Sequence, residues 1–412
     1  MLLPVYLSLG AVLVVLMGLA SGGLLSLVLM SPVRQQVTYG VMLGLSLLLA
    51  VLGMLASEQI EGRGIGLANS FVLLVLTFAL GYALTTFSIL LPRRRKREAT
   101  VPGGTGRWTA VICLAPGEPP DYDLRSTARR LELADNTEDV PAILLRPFYM
   151  RDIKSKFASI GRSPYRDQLV ELARKVQTRL PTDQRVSLAY YSDNPSLADT
   201  VTRVIEEGTR HLMIAHLRVT NPPDAFTAGD LFEGINLESN RLSVTHLPPL
   251  WDSELLPQIY VRRVLEAIAM GDAHTEEVGL LLAGRGHSQA SESSRARQQQ
   301  EESFQGRVKH ALQKAGFNET RIQLGWLRCE PSITRAIESL HAVGCRNIYW
   351  LPTSFPADGI NTLYDIQTQL KSVAREHQVK LTSLGAWNAD DLAAEEIAAR
   401  IRAASKEATR TV

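Results

Sequence analysis

Of the 44 Lys/Arg and 42 Asp/Glu in this chain, only Arg34, Glu58, Glu61 and Arg63 fall within residues 1–91. No other feature limits the fold more. Three charge-free runs, Leu2–Met30, Val37–Ala56 and Ile65–Leu91, each reach the roughly 18–20 apolar residues that cross a bilayer core. The first run is too long for a signal-peptide core of about 7–15 residues, and no Lys or Arg precedes it. Three in succession predict a three-span membrane anchor over 1–91.

Charge asymmetry sets the expected topology. Pro92-Arg93-Arg94-Arg95-Lys96-Arg97 closes the third run, and such a basic cluster stays on the cytoplasmic side. The expected location is the cytoplasmic (inner) membrane, multi-pass, with the N-terminus outside and the C-terminal domain in the cytoplasm. The spans hold no ionisable side chain, which argues against an ion path. Gly18–Gly23 suits close helix packing. The lipid bilayer is one expected partner, and other membrane proteins are further candidates. A net charge of +2 gives no case for nucleic acid. Three cysteines (Cys113, Cys329, Cys345) exclude a disulfide scaffold and lack metal-finger spacing. No Walker loop and no Gly-x-Ser-x-Gly elbow is present.

After a basic linker over 92–107, short apolar runs alternate with helical patterns. Strands are expected at Thr109–Leu114, Val186–Tyr191, Leu212–Leu217, Val278–Ala283, Ile322–Leu327 and Ile348–Leu351. Helices are expected at Pro164–Leu180, Pro195–Glu207, Glu301–Lys314 and Pro331–Ala342. Part of this order repeats without gaps at an offset of 136 residues. Val186 meets Ile322, Tyr190 meets Trp326, Pro195-Ser196 meets Pro331-Ser332, and Gly208 meets Gly344. In each copy the Pro is expected at the first helical turn and the Gly just past the last. The expected fold is therefore α/β: two similar doubly wound parallel-sheet halves, 108–275 and 276–405, with a tail over 406–412. Two such halves imply a cleft, and open parallel sheets bind ligands at strand C-terminal ends.

Four loops there carry the candidate chemistry: Phe157–Tyr165, His216-Leu217-Arg218, Ala283–Ser288 and Pro352–Ile366. With them the chain, over roughly 108–405, resembles the ferrochelatases and more broadly the type II tetrapyrrole chelatases. Ile160-Gly161-Arg162-Ser163-Pro164 is similar to the family's Ile-Gly-Gly-Ser-Pro loop. Pro352–Ile366 resembles Pro-x-x-Phe-x-x-Asp-His-x-Glu-Thr-Leu-Tyr-Glu-Ile, matching at Phe355, Asp358, Thr362, Leu363, Tyr364 and Ile366. Trp387-Asn388-Ala389-Asp390 looks like the closing Leu-Asn-Asp turn.

The departures fall on the chemistry. The family inserts a divalent metal with a cleft His and an opposing Glu. Here the His position is Arg285, with His287 two residues on, and the Glu position is Asn361. The His after the family's Asp is Gly359. The first-half loop Ala115-Pro116-Gly117-Glu118 has no His. Insertion needs groups that hold a metal weakly and take pyrrole protons, which a permanently cationic Arg and an amide cannot do.

The resemblance implies a membrane-anchored protein that binds a porphyrin and inserts Fe²⁺. The tetrapyrrole is then the small-molecule partner, Fe²⁺ and protoporphyrin are substrates (or haem a product or ligand), and no cofactor is tightly bound. Catalytic candidates are His287, Asp358, Asn361 and Asp365, with His287 and Asp358 toward the metal. Ile160, Gly161, Ser163, Pro164, Tyr165 and Tyr364 are expected to line the tetrapyrrole site, and Arg218 and Arg285 to pair with its carboxylates. Each has a plainer reading: His287 a solvated loop residue before a polar mobile stretch, His216 a hydrogen-bonded strand-end residue, Asp358 a helix cap. Two alternatives stay open, an inactive tetrapyrrole-binding or delivery scaffold, and a cobalt or nickel chelatase of a sirohydrochlorin-type ring.

Overall fold

A computed structural model of the chain describes residues 9–61, 65–91, 108–134, 141–222, 242–271, 278–287 and 291–410. The basic run after Pro92, the linker and Ser288 lie outside them. The chain divides into two compact units: residues 1–94, 122–135 and 139–158, and residues 95–121, 136–138 and 159–412.

The first unit is built on α1 (Leu9–Met30), α2 (Val33–Glu61) and α3 (Ile65–Leu90). All three are long and apolar enough to cross a membrane. Small residues let the backbones meet. A Cβ on Gly22 would sit 1.9 Å from the Phe78 carbonyl oxygen, and one on Gly81 would sit 2.1 Å from that of Leu19. Buried hydroxyl pairs add interhelical hydrogen bonds, Ser21 to Ser46 at 2.8 Å and Ser26 to Thr86 at 2.9 Å.

This unit also takes in α4 (Leu124–Ala134) and most of α5 (Arg146–Ile160), which the sequence reading assigns to the α/β part. Lys154 explains part of the attachment. Its buried ammonium donates to the carbonyls of Val28, Leu29 and Ser31 at 3.1, 3.2 and 3.1 Å. These are orphan acceptors at and just beyond the C-terminal end of α1, where a cation is favoured. Tyr122 Oη donates to Met30 O at 2.5 Å. The boundary at Pro92 is thus a charge boundary, and the compact unit extends beyond it.

The second unit holds both sheets. β1 (Thr109–Ala115), β2 (Gln184–Tyr190), β3 (His211–His216) and β4 (Ser243–His246) form a sheet in the order β2-β1-β3-β4. β5 (Val278–Gly284), β6 (Ile322–Trp326), β7 (Asn347–Pro352) and β8 (Lys380–Ser383) repeat it as β6-β5-β7-β8. Every pairing is parallel. Both central strands are apolar and buried nearly throughout, as strands covered on two faces must be. One apolar cluster runs from Val111 and Cys113 of β1 to Leu280–Leu282 of β5, so the halves share a core.

The helices of this unit are α6 (Tyr165–Gln177), α7 (Leu197–Glu206), α8 (Leu255–Met270), α9 (Glu292–Lys314), α10 (Ile333–Ala342), α11 (Gln367–His377) and α12 (Asp391–Arg410). The 136-residue offset holds in detail. Tyr190 bridges Ser196 as Trp326 bridges Ser332. The Ser196 hydroxyl accepts from Asp199 N–H, and that of Ser332 from Arg335 N–H. The serines are therefore the N-caps, and each Pro stands one residue outside its helix, correcting its expected place at the first turn. There its carbonyl accepts a strand N–H, from Tyr190 at 3.0 Å and from Trp326 at 2.9 Å. Gly208 and Gly344 end α7 and α10 with φ of +96° and +87°, as the left-handed stop requires.

A second correction concerns α9, which starts nine residues before the expected Glu301. Ser291 caps it by accepting Ser294 N–H at 3.1 Å. Its polar first half is ordered because Arg297, Gln298, Glu301 and Gln305 continue the buried face of Phe304, Val308 and Leu312.

Candidate functional site

The chemistry gathers in two loops at the C-terminal ends of the central strands, Pro116-Gly117-Glu118 after β1 and Arg285-Gly286-His287 after β5. Gly117 and Gly286 both have positive φ, +92° and +75°. A Cβ on Gly117 would lie 3.0 Å from Tyr190 Cβ and 2.9 Å from Asp193 Cβ. One on Gly286 would lie 3.1 Å from Trp326 Cβ and 2.7 Å from Cys329 Sγ. Tyr190 and Asp193 are the 136-offset counterparts of Trp326 and Cys329. Glu118 and His287 therefore occupy equivalent places, one in each half.

His287 is mostly buried, and its side chain turns back onto α9. Its Nε2 lies 3.3 Å from Glu301 Oε2, and its backbone N–H donates to Gln298 Oε1 at 2.9 Å. This replaces the solvated-loop reading of His287. Glu301 is fully buried and accepts from Arg285 N–H at 2.7 Å, Gly286 N–H at 3.2 Å and the Ser354 hydroxyl. It thus fixes the loop after β5 and ties it to the segment after β7. Burial pushes the Glu301 carboxyl upward. Burial, then the charges of Arg285, Arg218, Arg297 and Arg328, pull the His287 imidazole down to about 3. The imidazole is neutral at physiological pH, the form that accepts a proton or a metal. Arg218 and Arg285, singled out from the sequence, thus act on this histidine through their charge, as do Arg297 and Arg328.

Glu118 is buried and reaches both motif loops. Its Oε1 accepts from the Ser163 hydroxyl and from Ile360 N–H, the latter at 3.0 Å. A Cβ on Gly359 would sit 2.6 Å from that oxygen. Of the loop residues Ile160, Gly161, Ser163, Pro164 and Tyr165, Ser163 is the one joined through this carboxylate to Ile360, just before the Asn361–Ile366 segment. The Ser163 hydroxyl donates to Glu118 and accepts Tyr165 N–H, the first of α6, at 3.3 Å, while Pro164 stands at the N-cap with no side-chain bond.

Asp358 is not a helix cap. Its Oδ1 accepts from Ala386 N–H at 3.2 Å, and its Oδ2 from Asn388 Nδ2 at 2.8 Å. Its N–H donates to Asn388 Oδ1 at 2.8 Å. Arg263 of α8 holds the same turn through the carbonyls of Leu384, Gly385 and Trp387, each at 3.0 Å. Both Asp358 oxygens thus fasten the closing turn. Asn361, Tyr364 and Asp365 lie in a π-helical turn, Asn361–Ile366, half-buried; such turns are frequent at functional sites. Among the described residues no group of three or more His, Cys, Asp or Glu is arranged to hold a metal ion.

His216 is a buried member of a hydrogen-bonded row, as its plainer reading expects. Its Nδ1 is 2.6 Å from Tyr191 Oη and its Nε2 is 3.4 Å from His246 Nδ1. Burial, then His246 and Arg218, pull it down to about 3.

Sequence reasoning missed Glu301 and Glu118. Glu301 was legible as one of Gln298, Glu301, Gln305, Val308 and Leu312, a single helical stripe in which polar residues continue an apolar face. Nothing local marked Glu118, because its partners lie 45 and 242 residues away.

Comparison with known proteins places the chain in a family. A family model described as Ferrochelatase matches residues 137–405. Among curated proteins, a ferrochelatase of Geobacter sp. (strain M21) is 22% identical over 324 residues, covering 72% of this chain and 99% of that protein. One from Aquifex aeolicus is 23% identical, covering 52% and 71%. Among solved structures, SirB from Bacillus subtilis with Fe³⁺ is 12% identical at a TM-score of 0.46, covering 72% of this chain and 94% of that one.

Proposed function

Because the chain belongs to the ferrochelatase family, we propose that it inserts Fe²⁺ into a porphyrin bound between the two halves, beside a membrane. The observation that carries this reading is His287, mostly buried at the end of β5 and held 3.3 Å from the Glu301 carboxylate. Insertion exchanges two pyrrole N–H protons for one divalent ion. A neutral imidazole can accept one such proton, and its low basicity suits a metal that must be passed on. Arg218 and Arg285 would pair with the carboxylates of the tetrapyrrole. Those carboxylates would offset the cationic field on His287 and so strengthen it as a base once substrate is bound. Ile160–Tyr165 and Tyr364 would contact the ring, and Asn361 and Asp365 would face the entering metal.

The three apolar helices would place this chemistry at the cytoplasmic face of the inner membrane, since Arg93–Arg97 favour that side. Protoporphyrin and haem partition into bilayers, so an anchor keeps the site near its substrate and product. One observation favours a second reading. Arg285 and Asn361 stand where the family has its His and Glu, which fits a binding or delivery scaffold without insertion chemistry.

Anaerobic mixing of the full chain in detergent with Fe²⁺ and protoporphyrin tests this, read as haem absorbance. Wild type should form haem, and His287→Ala should slow it about 100-fold or more. Porphyrin binding without haem formation would leave the scaffold, and formation with Co²⁺ or Ni²⁺ on a more acidic ring alone would point to the sirohydrochlorin-type reaction.

A further inference from the structure

The pair that the family uses, one imidazole and one carboxylate, lacks its carboxylate at Asn361. The structure supplies one from elsewhere. Glu118 follows a positive-φ glycine at the end of β1, as His287 does at the end of β5. Its carboxylate fills the space a side chain at Gly359 would need, two residues from Asn361. Its Oε1 accepts from the Ser163 hydroxyl and from Ile360 N–H, which holds the carboxylate between the two motif loops. Gly359 is thus the complement of Glu118: a side chain there and the carboxylate cannot both be accommodated.

We propose that Glu118 is the cleft carboxylate of this chain, moved from the second half to the first, and that it meets the incoming divalent ion opposite His287. This rests on the insertion reading for its chemistry. In that reaction the ion replaces two pyrrole protons, one of which passes to Glu118 and one to His287 before both leave to solvent. A single carboxylate and a single imidazole make a weak site, as a metal in transit requires. Nothing more is needed than one group from each half.

Glu118→Gln is the discriminating variant, because glutamine Oε1 still accepts from Ser163 and Ile360 while the charge is lost. The probe is Co²⁺ alone, titrated into the full chain in detergent and followed by visible absorption. Glu118→Gln should weaken Co²⁺ binding at least tenfold while leaving the thermal transition and the porphyrin Kd within twofold of wild type. Returning the carboxylate to the family's position, in Glu118→Gln/Asn361→Glu, should recover part of the loss. A variant that binds Co²⁺ like wild type, or a wild type that binds none, overturns the proposal. Wild type that binds Co²⁺ through Glu118 but makes no haem would refute the insertion reading and leave this site standing.

Discussion

The two halves of the α/β unit have the same frame and opposite chemistry. Sheet order, strand bridges, serine caps and closing glycines correspond residue by residue. At the equivalent place after the central strand, the first half carries Glu118 and the second His287. Their supports differ as well. His287 leans on a carboxylate of its own half, Glu301, whereas Glu118 reaches into the other half at Ile360. Duplication thus fixed where the side chain after the glycine stands, while the side chain itself and its partner diverged.

The largest effect that would test this contrast concerns support. Glu301→Ala should remove the carboxylate that accepts from the N–H groups of Arg285 and Gly286, at about 1–3 kcal/mol for the buried Gly286 bond and less for the part-buried Arg285 one. It should lower the thermal transition more than Glu118→Ala, which strips one backbone N–H. The reverse order would mean that the second-half loop does not depend on α9.

Next come the glycines. Gly117→Ala and Gly286→Ala both force a side chain into positive φ against a neighbour closer than 3.0 Å. Each should cost about 1–3 kcal/mol by chemical denaturation. Similar losses would confirm equivalent turns, and a tolerated alanine in one half would break the correspondence.

The halves also share a pH response. His216 in the first and His287 in the second are both held near 3, against an ordinary value of 6.5. The unfolded chain therefore binds more protons between those values, and stability is lost as pH falls from about 6.5 toward 3. His216→Phe and His287→Phe should each flatten that slope by up to one proton, about 1.4 kcal/mol per pH unit. An unchanged slope in either variant would show that its imidazole is charged in the folded state.

The smallest expected effects are at the caps. Ser196→Ala and Ser332→Ala should each destabilise by about 1 kcal/mol, as measured by urea unfolding. A cost in one half alone would show that the cap equivalence is geometric rather than energetic.

Much of this frame was legible in the sequence. Four charged side chains in 91 residues marked the three long apolar helices, and Pro-Ser, Gly and strand spacing exposed the duplication. The short edge strands β4 and β8 were missed because each offers only four residues, with no apolar run. Lys154 and α5 were not assigned to the first unit, since their partners on α1 are over 120 residues away. The site was half legible. His287, Arg218 and Arg285 were singled out from strand-end position and the family resemblance. The direction of Asp358 was not, because a carboxylate before a helix looks the same whether it caps that helix or grips a turn 28–30 residues on.

The central claim is that one group from each half serves a single reaction. Single-turnover Fe²⁺ insertion by wild type, Glu118→Gln, His287→Ala and the double variant tests it most directly. If the two groups act as a unit, each single variant loses most of the rate and the double variant is no slower than the slower single. Losses that multiply in the double variant would contradict it, and would mean that the two halves act independently.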